Sequence, residues 1–241
     1  MSEINDPMGT AMLDYLQTAQ EIEIRVESNL AEDDVIPVPY LFRQWDAMPE
    51  LERVALETCC GRVLDIGAGA GCHTLVLQER YFDVTALDQS VGAVEAMQRR
   101  GVKQVLHQDI LALQPQPQYD TLLLLMNGIG IAGNLTGLER LLEQLKALLL
   151  PGGQVLLESS DILYMYEEED GSVVLDLNAG YYGEVKYNMK YKEQESGWFN
   201  WLFIDAAILQ DYAAKHGFVM EVLHEGEFGN YLAKLTIAPS S

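Results

Sequence analysis

The hydrophobic positions change period along the chain, and those changes divide it into regions. Residues 21 to 27, "EIEIRVE", alternate strictly, with Ile22, Ile24 and Val26 on one side, as a strand with one wet face does. From residue 61 short apolar runs rich in β-branched residues are separated by longer segments with helical spacing. "RVLDIG" (62 to 67) is a strand ending in glycine, and "GCHTLVLQERYF" is the helix it feeds. "DVTALD" (83 to 88) is a second strand. "SVGAVEAMQRRG" opens on a capping Ser90, sets Val91, Val94 and Met97 on one side, and stops at Gly101 after two arginines, which predicts a helix. The rhythm continues with a strand over 102 to 110, "VKQVLHQDI", and another over 119 to 126, "YDTLLLLM". The leucine-rich helix "LTGLERLLEQLKALL" (135 to 149), a "PGG" turn and the strand "QVLLES" (154 to 159) complete it.

Strands separated by helices imply right-handed βαβ units and a doubly wound α/β core with a mostly parallel sheet. In such sheets ligands bind beyond the carboxyl ends of the strands, so functional residues are expected just after each strand. Residues 184 to 205, "EVKYNMKYKEQESGWFNWLFID", break the rhythm and read as two long strands joined at "ESG", with Val185, Tyr187, Met189 and Tyr191 on one face. A helix, "DAAILQDYAAKHG", and two closing strands, "FVMEVLHEGE" and "YLAKLTIA", follow. The organisation expected is an N-terminal helical and strand cap over residues 1–60 and a single domain over 61–241. An antiparallel insertion at about 172–205 forms a small accessory sheet.

Composition narrows the function. At 241 residues, 49% hydrophobic, the chain holds one substantial core, and no apolar run reaches the roughly 18 residues of a membrane span. The polar start "MSEINDPMG" lacks the features of a secretory signal. Three cysteines, two of them adjacent, supply neither a disulfide framework nor metal-ligand spacing, so a reducing cytoplasm and no metal are expected. A formal charge of −22 repels phosphate backbones and anionic membrane surfaces, which argues against nucleic-acid and membrane partners. A monomer or a homodimer fits the rest.

The chemistry concentrates in "VLDIGAGAGCHTL" (63 to 75). Glycines between a strand end and a helix start bring backbone N–H groups to a ligand at close range, which suits a nucleotide-type cofactor. The spacing is G-x-G-x-G, with Cys72 where the dinucleotide fingerprint has its third small residue, and this weakens an NAD reading. Asp65, two residues before the first glycine, gives nothing to a pyrophosphate. It suits a ligand that carries a cationic centre and an ammonium, as S-adenosylmethionine does.

"VLDIGAGAG" followed by "VTALD" and "VLHQDI" resembles the class I S-adenosylmethionine-dependent methyltransferases over roughly residues 60 to 160. The resemblance implies their Rossmann-like fold, a seven-stranded mostly parallel sheet, with S-adenosyl-L-methionine as cofactor. By motif position, Asp65, Gly67, Ala68, Gly69 and Gly71 meet its methionine part, and Asp88 with Gln89 the ribose. Asp109 and Ile110 flank the adenine, and Asn127 lines the floor where cofactor meets acceptor. No N-P-P-Y, D-P-P-Y or Pro-Cys follows the fourth strand, so the pattern implies methyl transfer to a small molecule.

Methyl transfer needs the acceptor atom held in line with the leaving sulfur, and a hydroxyl or protonated amine also needs a base. Asp161, Asn127 and Tyr182 are the catalytic candidates, with Glu158 and Tyr181 as further candidates for the base. Tyr40, Arg43, Tyr181 and Tyr187 are candidates for the acceptor, on the expectation that residues 21 to 27 and 184 to 205 join in a sheet over the cofactor mouth. A nicotinamide-dependent oxidoreductase and a non-catalytic cofactor-binding module of the same fold are the alternatives.

Overall fold

The structure is a computed structural model that describes residues 5–168, 170–175 and 180–239. In chain order it runs α1 (Pro7–Thr18), β1 (Glu23–Ser28), β2 (Asp34–Pro37), α2 (Glu50–Thr58), β3 (Arg62–Ile66), α3 (Cys72–Glu79), β4 (Asp83–Asp88), α4 (Val91–Arg99) and β5 (Val105–His107). It continues with β6 (Tyr119–Leu124), α5 (Leu135–Leu148), β7 (Leu149–Ser160), β8 (Glu184–Tyr191), β9 (Gln194–Glu195), β10 (Phe199–Leu202), α6 (Ala206–Lys215), β11 (Phe218–Glu225) and β12 (Asn230–Ile237). The seven strands of the main sheet lie in the order β11-β12-β7-β6-β3-β4-β5, and a separate antiparallel sheet runs β10-β8-β1-β2 with β9 beside β8. The architecture is therefore α/β, mostly parallel, with an accessory antiparallel sheet.

The chain forms two compact units. The first holds residues up to 49, 60–114 and 186–199. Its parallel strands β3, β4 and β5 pair in register, Leu64 opposite Thr85 and Ala86 opposite Val105. β1 pairs antiparallel with β8, Val26 opposite Met189, and with β2, Ile24 opposite Ile36. Because side chains alternate across a strand, Ile24, Ile36, Met189 and Tyr191 share one face, and that face packs on Ala11, Met8 and Tyr15 of α1 and on Val38. The opposite face carries the Lys190–Glu27 ion pair.

The second unit holds residues 50–59, 115–185 and 200–241. β6 and β7 run parallel, Leu123 opposite Leu156, and β12 and β11 continue antiparallel from β7, Leu235 opposite Val155 and Met220 opposite Leu235. Leu138, Leu141, Leu142, Leu145 and Leu148 form the buried face of α5, whose N-terminus is capped by the Asn134 side chain accepting from Gly137 N at 2.8 Å.

Four local expectations change. The strand expected over 102–110 shrinks to Val105–His107, because Asp109 caps a 3₁₀ turn at Ile110–Ala112 that draws the chain off the sheet edge. The turn after β8 falls at Lys192, at φ +52°, rather than at "ESG", and the second long strand splits into β9 and β10 around Gly197 at φ +73°. The "PGG" residues remain within β7 as an irregularity, the register stepping from Tyr119 opposite Leu149 to Thr121 opposite Gln154. On α4 the buried face is Gly92, Ala93, Ala96 and Met97, while Val91 is exposed. Small residues face inward there because α1 crosses α4 with backbones touching: a Cβ on Gly92 would stand 2.5 Å from the backbone of Gly9.

Candidate functional site

In the first unit, the loop after β3 turns on three glycines in the left-handed region, Gly67, Gly69 and Gly71 at φ +72°, +55° and +78°. The turn is fixed by Gly67 N and Ala68 N donating to Leu87 O, and by Gly71 N donating to Ala68 O at 2.8 Å. Gly71 is also tightly enclosed, since a Cβ there would lie 3.1 Å from Met97 and Val102. Asp88 closes the loop from the end of β4, its Oδ2 accepting from Gly69 N and its Oδ1 from Ser90 N, both at 2.8 Å. Burial pushes the Asp88 carboxyl above its usual range. Asp88 is thus a brace for two loops. A carboxylate accepts about four hydrogen bonds, so the same group has capacity for ribose hydroxyls.

Asp65, on β3, is 2% exposed and accepts from Thr74 Oγ1 at 2.6 Å; burial raises its pKa against the opposing pull of His73 and Thr74. Cys72 and His73 begin α3 directly after the glycines, and both are buried. Arg43 reaches them from the N-terminal segment, its Nη2 3.3 Å from His73 Nε2 and its Nη1 donating to Tyr40 O at 2.7 Å. Its partner Tyr40 is 41% exposed. Asp109 caps its own turn, accepting from Leu111 N at 2.9 Å, with Ile110 buried behind it. The Gln89 carbonyl bonds His107 Nε2 at 3.0 Å.

Residues that the periodicity does not flag complete this region. Asp6 caps α1 through Gly9 N and, with its other oxygen, accepts from Ser90 Oγ at 2.6 Å and Gly92 N at 2.9 Å, so one carboxylate ties the starts of two helices. The Asp-Pro pair ahead of α1 is a readable start signal for that first role; the second is a tertiary contact. Met12 packs over the glycine loop, its Cε 3.7 Å from where a Cβ on Gly69 would stand. The accessory sheet therefore backs the helix that covers the loop, and Tyr187 meets Phe199, ring centroids 6.4 Å apart.

In the second unit, the turn after β6 holds two consecutive left-handed residues, Met126 at φ +57° and Asn127 at φ +53°. Such conformations cost about 1 kcal/mol or more each for residues with a Cβ. Glu158 Oε2 pins the turn by accepting from Met126 N at 2.7 Å, and Asn127 Nδ2 donates to Leu202 O at 3.1 Å. Asn127 Oδ1 is buried with no hydrogen-bond partner. A polar cluster gathers beyond β7. Tyr182 OH donates to Asp161 Oδ1 and Tyr181 OH to Asp205 Oδ2, both at 2.7 Å, and Tyr166 OH donates to the Tyr182 carbonyl. Burial, with the added effect of these partners, holds both Tyr181 and Tyr182 well above the usual phenol range. Asp205 is also the N-cap of α6, accepting from Ala207 N and Ile208 N, and it was not among the sequence candidates.

A family model described as a methyltransferase domain matches residues 63–153. A solved S-adenosylmethionine-dependent methyltransferase from Bacteroides fragilis, in complex with S-adenosyl-L-homocysteine, is 42% identical to the chain. The match covers 99% of this chain and 98% of that one with a TM-score of 0.92. The sugar N-methyltransferase KedS8 from Streptoalloteichus is 16% identical over 79% of this chain and 85% of its own, TM-score 0.53. The amino pentose methyltransferase CalS10 from Micromonospora echinaspora is 15% identical over 78% and 87%, TM-score 0.52. No curated protein matches the chain in sequence. The first of these likenesses shows the family, and the others share the fold. The protein belongs to the class I S-adenosylmethionine-dependent methyltransferases, an enzyme whose cofactor is S-adenosyl-L-methionine. That membership replaces the nicotinamide and non-catalytic alternatives. Among the described residues no helix is long and apolar enough to cross a membrane.

Proposed function

We propose that the enzyme methylates a small-molecule acceptor by in-line displacement. The observation that carries this reading is the loop of Gly67, Gly69 and Gly71 with buried Asp65 behind it and Asp88 bracing it. A side-chain-free backbone, an acid for a cationic ligand and a carboxylate at the next strand end fit an adenosyl amino acid. Asp65, Gly67, Ala68, Gly69 and Gly71 hold its methionine part, Asp88 and Gln89 the ribose, and Asp109 and Ile110 the adenine. S-adenosylmethionine bound there supplies a methyl group on a sulfonium, an electrophile that needs no help from a metal or a protein nucleophile.

The protein's own contribution is then positioning and proton removal. Asp161 is the base of this reading. The raised pKa of Tyr182 keeps its phenol protonated near neutrality, so Tyr182 orients the Asp161 carboxylate by donating to it, and Leu163 N donates to the same oxygen. Asn127, with its unpartnered Oδ1 held in place through Leu202, accepts a proton-bearing group of the acceptor. Residues 61–241 are read as the catalytic domain and residues 1–60 as its cap.

The experiment has two arms. Calorimetry with S-adenosylmethionine, S-adenosylhomocysteine and NAD should give binding to the two sulfur ligands only. Incubation of metabolite pools with methyl-labelled cofactor should label a low-molecular-weight product, and label found only in protein or nucleic acid would overturn the small-molecule reading.

A further inference from the structure

The carboxyl edge of the second unit's sheet carries an inference that deepens the small-molecule reading above and rests on it. β11 and β7 both pair antiparallel with β12, so they run the same way, and the turn after β11 lies at the same edge as Asp161, which follows β7. Ligands of open α/β sheets bind at that edge. The turn is closed by Gly226 N donating to Asn230 O at 2.8 Å, and it is fastened to Asp161, whose N donates to Gly229 O at 2.9 Å. The two backbones are so close that a Cβ on Gly229 would stand 2.5 Å from Asp161 O.

Phe228 is the residue just before Gly229. It sits in the left-handed region, at φ +56° and ψ 35°, and is 78% exposed. Glycine adopts that conformation without strain, and a ring left in solvent gains little packing from its own chain to offset it. Strained residues of this kind gather at ligand sites. The segment after Asp161 adds exposed apolar side chains of its own: Tyr164 and Met165 on the 3₁₀ turn Leu163–Tyr166, and Val174, whose N donates to Tyr166 O at 3.1 Å. Exposed apolar groups gathered beside a polar site mark a binding surface. Among the described residues, the hydrogen bonds to the Asp161 carboxylate both fall on Oδ1, from Leu163 N and Tyr182 OH, so the other oxygen is the one that can meet an acceptor. A formal charge of −22 opposes the other two occupants of an exposed apolar surface, an anionic membrane and a second copy of the chain.

We propose that Phe228 is a specificity-determining residue of the acceptor site, and that the acceptor is a ring-bearing alcohol or amine whose ring face stacks on Phe228 while its heteroatom reaches Asp161. A phenyl ring packs on an aromatic ring and on the C–H face of a sugar alike, so the shared chemistry is an apolar ring face beside a proton-bearing heteroatom.

The test is a saturation-transfer NMR titration of the full chain, loaded with S-adenosylhomocysteine, using phenol, methyl β-glucopyranoside, and glycerol, which carries hydroxyls but no ring. At least one ring probe should bind about threefold or more tightly than glycerol, and which one does so separates an aromatic acceptor from a sugar. Phe228→Gly should abolish that preference, leave S-adenosylhomocysteine affinity within about twofold, and hold or raise the unfolding midpoint because glycine relieves the backbone. Phe228→Trp should keep the preference. Tyr81, 97% exposed at φ +66° ahead of the amino end of β4, is the control, and Tyr81→Gly should leave the preference intact. No ring preference in the unmodified protein overturns the proposal, and so does a preference that survives Phe228→Gly. A lowered midpoint together with lost S-adenosylhomocysteine affinity in Phe228→Gly overturns it by making Phe228 structural. A dimer of the unmodified chain that Phe228→Gly dissociates in sedimentation overturns it by making the ring an interface. The reading beneath it fails separately. In the metabolite-pool experiment, label found only in protein or nucleic acid overturns the small-molecule reading, whereas a low-molecular-weight product formed equally by the unmodified and Phe228→Gly proteins keeps that reading and overturns the role of Phe228.

Discussion

The glycine loop and the tyrosine–aspartate cluster are built in opposite ways. In the first, residues within one βαβ stretch, 65 to 90, make the turn, the brace and the buried acid, and most of the bonds that hold them run to backbone groups: Gly67 and Ala68 to Leu87, Gly69 and Ser90 to Asp88. In the second, Asn127, Glu158, Asp161, Tyr182, Leu202 and Asp205 come from four separate segments, and side chains carry the network. A ligand common to many chemistries can be met by backbone geometry, which tolerates sequence change around it. An acceptor has to be met by side chains placed one by one.

The largest effect that would sharpen this contrast is structural. Gly92→Ala puts a Cβ 2.5 Å from the Gly9 backbone, so α1 must shift off α4 and off the loop that Met12 covers. A loss of about 3 kcal/mol in stability is expected, with weakened S-adenosylhomocysteine binding, both followed by thermal unfolding with and without ligand. Unchanged stability would mean the helix crossing is looser than described.

Asp161→Asn should lower kcat by about a hundredfold while S-adenosylhomocysteine affinity stays within about twofold. A parallel loss of ligand affinity would break the division of labour between the two regions. Asp88→Ala removes the brace on Gly69 N together with the proposed ribose contact, and should weaken cofactor binding by about 1.5 to 3 kcal/mol in calorimetry. If affinity holds, Asp88 serves only the loops.

A smaller effect follows from acidity. Burial raises both Asp65 and Asp88, so each gives up its proton less readily in the ligand-free protein than in the unfolded chain. The stability that protonation confers is full below the unfolded value near 3.8 and is lost as pH rises through the raised values. A cationic ammonium at Asp65 and hydroxyl donors at Asp88 favour the ionised forms. Affinity for S-adenosylhomocysteine should therefore rise with pH through that window and level off above it, with proton release on binding at its lower end. Titrations in buffers of different ionisation enthalpy measure this, and affinity that does not change as pH rises from the ordinary carboxylate range would contradict the placement of Asp65. The smallest expected signal is in a mobility assay with tRNA at low salt. A chain of net charge −22 should give no shift there, and salt-sensitive binding would reopen the acceptor assignment.

Much of the first region was legible because its causes are local. Gly67, Gly69 and Gly71 stand out by composition, Asp65 and Asp88 by their places at strand ends, and Ser90 by its capping position ahead of a helix. The second region was legible only as candidates. Asp161, Glu158 and Tyr182 could be named, but Asp205 could not, since its role depends on a segment 24 residues away in sequence.

The period of the hydrophobic pattern alone determined the α/β alternation, the parallel core and the antiparallel strands at residues 21 to 27 and after 184, because burying one face of a helix or strand is a local demand on spacing. The tertiary structure decided what no spacing encodes. Gly92 and Ala93, not Val91, face inward because another backbone has to pass at contact distance. The apolar face of the accessory sheet packs on α1 because α1 brings Ala11 and Met8 to it. Asp6 serves two helix starts at once, since a carboxylate has a second oxygen and only the packed chain determines what that oxygen meets.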